Sequence, residues 1–252
     1  MRILLTNDDG IEAPGIQALW QELADIADIS VIAPVSERSA TSQAITVHHP
    51  IRVDEYCFTE PRICGWRVDG TPTDCVKIAV EALMDTPPDI VVSGINHGPN
   101  MGTDVLYSGT VSAAIEGALN GFPAIAVSLN SWQESDFKAA AEFTRRLVAQ
   151  VMETNSIPPR TLLNVNVPAL PAEQIKGVRI TKLGVVQYDN VFERRLDPRG
   201  RTYYWMGGKI ADSDNAADTD VVAVKSGYIS VTPVHFDLTD YKMMESLKKW
   251  QL

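Results

Sequence analysis

The sequence predicts an α/β fold with a doubly wound, mostly parallel sheet. Over roughly the first 168 residues, short apolar runs alternate with amphipathic helical patterns, which is typical of βαβ units joined in one sheet. The apolar runs end in polar or glycine-rich segments, as buried parallel strands do. The last third of the chain lacks this alternation, and there we expect a β-hairpin arm and a terminal helix.

The first βαβ unit is predicted within about the first thirty-three residues. Residues 3–5 are an apolar run that predicts a strand, and residues 29–33 predict a second one before Pro34. Between them a helix is expected over residues 15–27, because apolar residues recur there at helical spacing. No GxGxxG segment joins the first strand to this helix, so the dinucleotide-binding fingerprint is absent.

The middle of the chain continues the alternation. Residues 45–69 alternate loosely and suggest short strands or a hairpin flanking the sheet. A helix start follows, with Thr71 at the N-cap, Pro72 at the first helical position and Asp74 at the third. The later predicted elements are that helix to about residue 84, a strand at 89–94, a glycine-rich loop at 93–104, a helix at 108–120, a strand at 123–129, a helix at 136–152 and a strand at 161–167.

The last third is predicted to extend the sheet and to carry an arm. Residues 178–183 and 227–233 have strand patterns, and an arm is expected at about residues 185–220. Exposed aromatic residues on such an arm favour an oligomer contact. A helix is expected from about residue 238 to the end. We therefore predict one domain over residues 1–252: a catalytic core at 1–168 and a C-terminal extension at 169–252.

Composition excludes several classes of protein. The chain has 252 residues and a net charge of −10, so it would repel a nucleic acid polymer, and it contains no basic block to offset this. No apolar run is long enough for a membrane span, and the N-terminus lacks a signal-peptide pattern. The three cysteines show no CxxC spacing, which makes a disulfide scaffold or a zinc site improbable. We expect a cytoplasmic protein.

Polar segments follow three of the predicted strands, at residues 7–10, 36–42 and 93–104. Asp8 and Asp9 are adjacent, and two like charges held this close repel unless a cation or a shared proton lies between them. An Asp-rich turn without a ligand is the alternative reading of these two residues. Because these segments supply carboxylate, hydroxyl and Asn96 amide oxygens, they suit a hard cation such as Mg²⁺ or Mn²⁺.

A second polar feature is the start of the helix at residues 108–110. Ser108, Gly109 and Thr110 offer free N–H groups, hydroxyls and the positive end of a helix dipole, which together bind phosphate. A capped helix with no ligand is the simpler interpretation. A metal site that faces such a helix start points to hydrolysis of a phosphomonoester.

Several multi-residue motifs follow one another along the chain. They are NDDG at 7–10, APG at 13–15, GTPTD at 70–74, SGIN at 93–96, GPN at 98–100 and YSGTV at 107–111. Together and in this order they resemble the motifs of the SurE family of survival-protein nucleotidases. The resemblance covers nearly the whole chain, from Met1 to the segment at residues 228–235.

The resemblance implies a Rossmann-like core and one divalent metal cation bound through Asp8, Asp9, Ser39 and Asn96. It implies hydrolysis of nucleoside 5′-monophosphates, and also of 3′-nucleotides and short polyphosphate. From it we expect Asp8, Asp9 and Asn96 to be catalytic. It further suggests a homodimer or homotetramer built through the C-terminal arm.

Other side chains and other functions stay open. Arg38 is a candidate for neutralising substrate charge, alongside Ser108, Gly109 and Thr110 as substrate-binding residues. His97 lies in the active loop, where a structural role competes with proton donation. Metal-activated water is the preferred nucleophile, and an aspartyl nucleophile at Asp8 is the rival. The alternative functions are a broad acid phosphatase and a nucleotide-binding module that does not hydrolyse.

Overall fold

The structure is a computed structural model that describes residues 1–58, 60, 63–133, 136–189, 192–211 and 214–250. Nine strands of the described chain form one sheet, and shorter strands form the arm. The strands are β1 Arg2–Thr6, β2 Asp28–Pro34, β3 Val53–Cys57, β4 Ile63–Val68, β5 Ile90–His97, β6 Ala124–Asn130, β7 Thr161–Pro168, β8 Val178–Ile180, β9 Gln187–Asp189, β10 Phe192–Leu196, β11 Thr202–Met206, β12 Lys209–Ala211 and β13 Ile229–His235.

Helices cover both faces of the large sheet. They are α1 Pro14–Leu23, α2 Pro72–Ile78, α3 Gly109–Leu119, α4 Lys138–Thr154, α5 Asp220–Lys225 and α6 Tyr241–Leu247. Successive side chains of a strand point to opposite faces, and both faces of β1 are fully buried. Ile3 and Leu5 pack in the apolar layer shared with α1 and α4, whereas Leu4 packs in the layer shared with α2 and α3. None of the described helices has the length and apolar character needed to cross a membrane.

The strand order confirms the predicted doubly wound fold. It runs β3-β4-β2-β1-β5-β6-β7-β13-β8, and β4, β2, β1, β5, β6 and β7 are parallel neighbours. The chain first builds outward from β1 through β2 and β4, and then returns to build in the other direction from β5. The order therefore reverses between β1 and β5, and ligands of open α/β sheets bind beside the carboxyl ends of the strands at such a point.

Local sequence signals correctly predicted where two helices begin. Thr71 accepts a hydrogen bond from the Asp74 amide at 3.1 Å, and the Asp74 carboxylate accepts from the Thr71 amide at 2.9 Å, which completes the capping box. After Ile78 the helix continues as a π-helical turn over Ala79–Leu83. Ser108 caps α3 by accepting from the Val111 amide at 3.0 Å.

Several predicted bounds were wrong. Strand β5 extends to His97, so the first five residues of the expected glycine-rich loop are strand. Helix α1 ends at Leu23 rather than at residue 27, and residues 45–52 form no strand. The pattern did not indicate α5. The terminal helix spans Tyr241–Leu247, shorter than the expected 238–252, and residues 251 and 252 lie outside the described chain.

The C-terminal strands join the sheet and lead into the arm. Strand β13 pairs antiparallel with β7 and parallel with β8. The arm has a hairpin of β10 and β11, and β9 pairs with β12. Predicted arm residues 190, 191, 212 and 213 lie outside the described chain. Large apolar side chains of the hairpin are exposed at Phe192, Leu196, Tyr203, Tyr204, Trp205 and Met206.

The base of the arm is bound to the loop that precedes α3. The buried Asp220 carboxylate accepts hydrogen bonds from the Gly102 and Gly184 amides, each at 2.8 Å. The Thr103 hydroxyl donates to the Val186 carbonyl at 2.7 Å. Because buried carboxylates are stable only when hydrogen-bonded, Asp220 holds these two segments together.

Candidate active site

The carboxyl ends of β1 and β5 lie side by side and carry the predicted acidic and amide residues. Strand β1 ends two residues before Asp8, and Asn96 is the second-to-last residue of β5. The Asp9 Oδ2 atom accepts a hydrogen bond from the His97 amide at 3.1 Å, which joins the two segments directly. The predicted convergence of Asp8, Asp9 and Asn96 therefore occurs at the reversal of strand order.

A local turn holds the acidic pair in place. The Asn7 amide nitrogen donates to the Gly10 carbonyl at 2.8 Å, and the Gly10 amide donates to the Asn7 Oδ1 atom at 3.2 Å. Gly10 has a φ of +105°, a backbone conformation that favours glycine. Asn7 and Gly10 thus shape the turn between them, and the two aspartates lie at its centre.

The start of α3 packs directly against Asp8. The Thr110 hydroxyl donates to the Asp8 Oδ1 atom at 2.5 Å, and Asp8 is buried. A Cβ atom at position 109 would lie 2.8 Å from the Asp8 Cβ and 2.9 Å from its Oδ2. Glycine at this position therefore allows the helix to approach the carboxylate closely.

A buried polar network supports Thr110 from below. The Asn100 amide nitrogen lies 2.9 Å from the Ser128 hydroxyl and 3.4 Å from the Thr110 hydroxyl, toward both of which it donates. The Asn100 carbonyl accepts from the side chains of Asn164 and Asn166, at 2.8 and 3.0 Å. The Asn164 Oδ1 atom has no partner among the described residues, but the bonds that converge on Asn100 hold it in place. Asn100 in turn limits the orientation of Thr110 and, through it, that of Asp8.

The acidic pair is electrostatically unfavourable without a cation. Burial raises the pKa of Asp8 to about 7; the Thr110 hydrogen bond opposes this shift and the Asp9 charge adds to it. Burial also raises the pKa of Asp9 to about 6, where the His97 amide opposes the shift and the Glu37 charge adds to it. Both carboxyls would ionise fully at neutral pH if a positive charge lay beside them.

The oxygen atoms around this pair suit a hard divalent cation. The Asn96 amide nitrogen donates to the Gly98 carbonyl at 2.7 Å, which leaves the amide oxygen for another ligand. Nowhere in the described chain do three His, Cys, Asp or Glu side chains cluster as a metal site. A cation here would thus bind the two carboxylates together with neutral oxygens, a set that magnesium and manganese accept.

A comparison with protein families shows which family has this fold. Residues 3–190 match the family model described as Survival protein SurE, and this range includes every residue of the site described above. The chain belongs to the SurE family. The resemblance found in the motifs is confirmed.

Relatives of known name agree over the full length. The chain is 57% identical over 250 residues to 5′-nucleotidase SurE of Heliobacterium modesticaldum, covering 99% of this chain and 92% of that protein. It is 57% identical over 253 residues to 5′-nucleotidase SurE of Desulforudis audaxviator, covering 99% and 97%. The crystal structure of the SurE protein from Aquifex aeolicus has a TM-score of 0.83 and 38% identity, and the match covers 98% of each chain.

Two predicted residues of this SurE-family chain lie at the site with their side chains directed elsewhere. The Arg38 amide donates to the Asp8 carbonyl at 2.7 Å, which places residues 38 and 39 beside the acidic pair. The Arg38 guanidinium, however, pairs with Asp69 at 3.0 Å. The Ser39 hydroxyl is exposed and donates to Glu37 at 2.6 Å. Their roles toward metal and substrate stay predictions.

The four histidines have different surroundings. His48, His49 and His235 are exposed. The His97 ring packs edge-on against Phe137 at 5.8 Å between centroids. The buried His97 Nε2 atom has no hydrogen-bond partner among the described residues. This packing fixes the backbone whose amide binds Asp9.

Sequence reasoning missed three contributors to the site. Glu37 adds negative charge near Asp9, and Asn100 anchors the polar network. Trp132 covers Gly98 at the end of β5. A signal for the network was present in the sequence, since Ser128 and Asn164 interrupt apolar strands; Trp132 follows β6 with no pattern that distinguishes it.

The raised pKa values predict how pH changes the stability of the metal-free protein. A carboxyl with a higher pKa in the folded chain than in the unfolded chain, where it is about 4, binds its proton more tightly when folded. The free energy of unfolding should therefore fall as pH rises from about 4 to about 7. Denaturant unfolding in EDTA across this range measures the slope, and Asp8→Asn should flatten it. A free energy that rises in both proteins would contradict the prediction.

Proposed function

We propose that this protein is a metal-dependent 5′-nucleotidase that hydrolyses nucleoside monophosphates to nucleosides and phosphate. The observation that carries the proposal is the position of the buried Asp8 and the half-buried Asp9 beside the N-terminus of α3. The two carboxylates supply ligands for a cation, and the helix start supplies an N–H group for a phosphate. The names of the relatives, 5′-nucleotidase SurE, support the same activity.

One divalent cation, Mg²⁺ or Mn²⁺, is part of the proposal. Asp8, Asp9 and Asn96 would hold it, with Ser39 as a fourth ligand after rotation of its hydroxyl away from Glu37. When bound, the cation supplies Lewis-acid stabilisation of the charge on the phosphate and lowers the pKa of water. The raised pKa of both aspartates fits this assignment, because a neighbouring cation favours their charged forms.

The residues of the chain itself bind and orient the substrate. At the start of α3 the Val111 amide already donates to Ser108, and the Thr110 amide interacts with Asp8. The Gly109 amide is therefore the one we assign to a phosphate bound beside Asp8. The Ser108 oxygen already accepts from the Val111 amide, so its hydroxyl hydrogen is free to donate to a phosphate oxygen. Thr110 keeps Asp8 in one orientation. Arg38 would have to leave Asp69, an exposed partner, to reach the substrate.

Water is the proposed nucleophile. Asp8 is assigned to the cation as a ligand, and its Oδ1 also accepts from Thr110, so we do not assign it the attack on phosphorus. Activity on 3′-nucleotides and short polyphosphate, assembly through the arm into a dimer or tetramer, and the cytoplasmic location stay predictions.

A substrate panel tests the function directly. The purified protein is assayed with 5′- and 3′-nucleoside monophosphates and with an aryl phosphate, each with Mg²⁺, Mn²⁺ or EDTA. We expect phosphate release from 5′-nucleotides with either cation and at least about 100-fold less in EDTA. Equal rates on nucleotides and aryl phosphate would favour the broad phosphatase. Binding of intact nucleotide without phosphate release would favour the non-hydrolysing module, and activity unchanged by EDTA would contradict the metal.

A further inference from the structure

We propose that Trp132 is the platform on which the base of the nucleotide stacks, and thus a substrate-binding residue that distinguishes nucleotides from other phosphate esters. This inference rests on the proposed function and deepens it. It depends on three observations: the position of Trp132 at the site edge of the sheet, the fixed contact of its ring with Gly98, and the exposure of that ring.

Trp132 lies on the same edge of the sheet as the acidic pair. Strand β6 ends at Asn130, parallel to β5, so Trp132 follows the carboxyl end of the neighbouring strand. The turn at this end is held by hydrogen bonds from the Ser131 amide to the Leu129 carbonyl at 2.8 Å and from the Gln133 amide to the Ser131 hydroxyl at 3.1 Å. The topology thus brings the indole to the site.

The ring has a fixed neighbour in the site. A Cβ atom at position 98 would lie 2.3 to 2.6 Å from three carbons of the Trp132 benzo ring. Position 98 has a φ of +124°, which favours glycine, and the missing side chain leaves the ring room to lie against the backbone. The Gly98 carbonyl accepts from Asn96, and His97 next to it donates to Asp9. Trp132 therefore lies one residue from backbone that contacts the acidic pair directly.

The indole is nevertheless open to a ligand. Trp132 is 69% exposed, so most of its ring surface is accessible to a ligand. The flat π-face of an indole stacks on any nucleobase, and the ribose separates base from phosphate. A phosphate at α3 and a base on Trp132 would place the sugar over the acidic pair.

Tyr107 is an exposed aromatic residue next to the phosphate-binding helix and is the competing candidate. Tyr107 precedes Ser108 and is 64% exposed, and its carbonyl accepts from the Ser42 amide at 3.1 Å. It lies immediately beside the proposed phosphate position, which leaves little room for a sugar between phosphate and base. The acidic pair follows β1, Trp132 follows β6, and β5 lies between these two strands, so a base on Trp132 would be separated from a phosphate beside Asp8.

The kinetic test compares adenosine 5′-monophosphate with ribose 5-phosphate, which has the same phosphate and sugar but no base. Trp132→Ala should raise KM for adenosine 5′-monophosphate about tenfold, with kcat unchanged, since base stacking on an aromatic ring has about this effect. KM for ribose 5-phosphate should change less than about twofold, and Trp132→Phe should keep KM near that of the wild type. An equal rise in KM for both substrates would assign Trp132 to packing alone. A KM for adenosine 5′-monophosphate that stays at the wild-type value would make Tyr107 the candidate for the base. Either result overturns the proposal.

A fluorescence measurement is independent of turnover. Adenosine 5′-monophosphate with Mg²⁺ should quench part of the tryptophan emission of the wild type and of Trp205→Phe, a control on the exposed arm. The same nucleotide should leave the emission of Trp132→Phe unchanged. This quenching does not depend on hydrolysis. If the base stacks on Trp132, quenching should be seen even if the substrate panel shows no release of phosphate. Equal quenching in wild type and Trp132→Phe, or none in the wild type, would overturn the stacking.

Discussion

Asp9→Asn is expected to lower kcat for nucleoside monophosphates by about 1000-fold, the scale of losing the charge stabilisation that a bound cation supplies. Asn keeps an oxygen that accepts from the His97 amide, so the turn should keep its shape. It also removes a negative charge beside Asp8, so the stability of the metal-free protein should not fall. Initial rates with saturating Mg²⁺ and thermal unfolding in EDTA measure the two effects.

The control for this variant is Asp85→Asn, which makes the same chemical change at an exposed position after the π-helical turn. Its kcat should stay within about twofold of the wild type, because surface substitutions away from a site have small effects. Full activity of Asp9→Asn with added Mg²⁺ or Mn²⁺ would remove the acidic pair from the mechanism. Loss of activity together with loss of the folded state would assign Asp9 to folding.

Gly15→Ala is expected to destabilise the protein by about 3 kcal/mol, a large effect for one methyl group. A Cβ atom at position 15 would lie 1.9 Å from the Ile95 carbonyl oxygen and 2.9 Å from its carbon. These are backbone atoms inside β5, so the clash can be relieved only by moving α1 away from the sheet or by displacing the strand. Urea unfolding with the wild type alongside measures the change.

The same variant should reduce activity, because Ile95 precedes Asn96 and a displaced carbonyl shifts the proposed ligand. Gln21→Ala is the control, because it introduces alanine at an exposed position of the same helix. Its free energy of unfolding should change by less than about 0.5 kcal/mol. A Gly15→Ala protein as stable as the wild type would show that α1 and β5 can separate without cost.

Much of the fold was predictable because local and tertiary signals agree. The apolar residues 3–5 predict a buried strand, and the Thr71 capping box specifies a helix start without help from distant residues. Strand β5 is different. Gly94 and Asn96 have low strand propensity, and the strand continues through them because β6 pairs with Ser93 and with Asn96 on either side of a register shift. That pairing is a tertiary interaction, which single-residue propensities do not contain.

The position of the candidate site was predictable, but several of its side-chain contacts were not. Adjacent carboxylates after a buried strand predicted a ligand site, and the structure brings Asp8, Asp9, Asn96 and the start of α3 together. The family motifs, rather than spacing alone, placed Ser39 in the ligand set. Side-chain partners of Arg38 and Ser39 were not predictable, because Asp69 and Glu37 are exposed residues with no pattern that ties them to the site. Nor was Trp132, whose position depends on how the turn after β6 folds back on Gly98.

The Asp220 carboxylate divides the arm into two parts under different constraints. Its base is tied by hydrogen bonds to Gly102 and Gly184, six residues before the helix start that faces Asp8. The hairpin at residues 192–206 has no such tie to that loop among the described hydrogen bonds. A chain shortened within the hairpin, with residues 182–189 and 214–225 retained, would therefore keep the loop before α3 in place. Changes confined to the hairpin would thus act on the predicted oligomer contact and leave the proposed active site as it is.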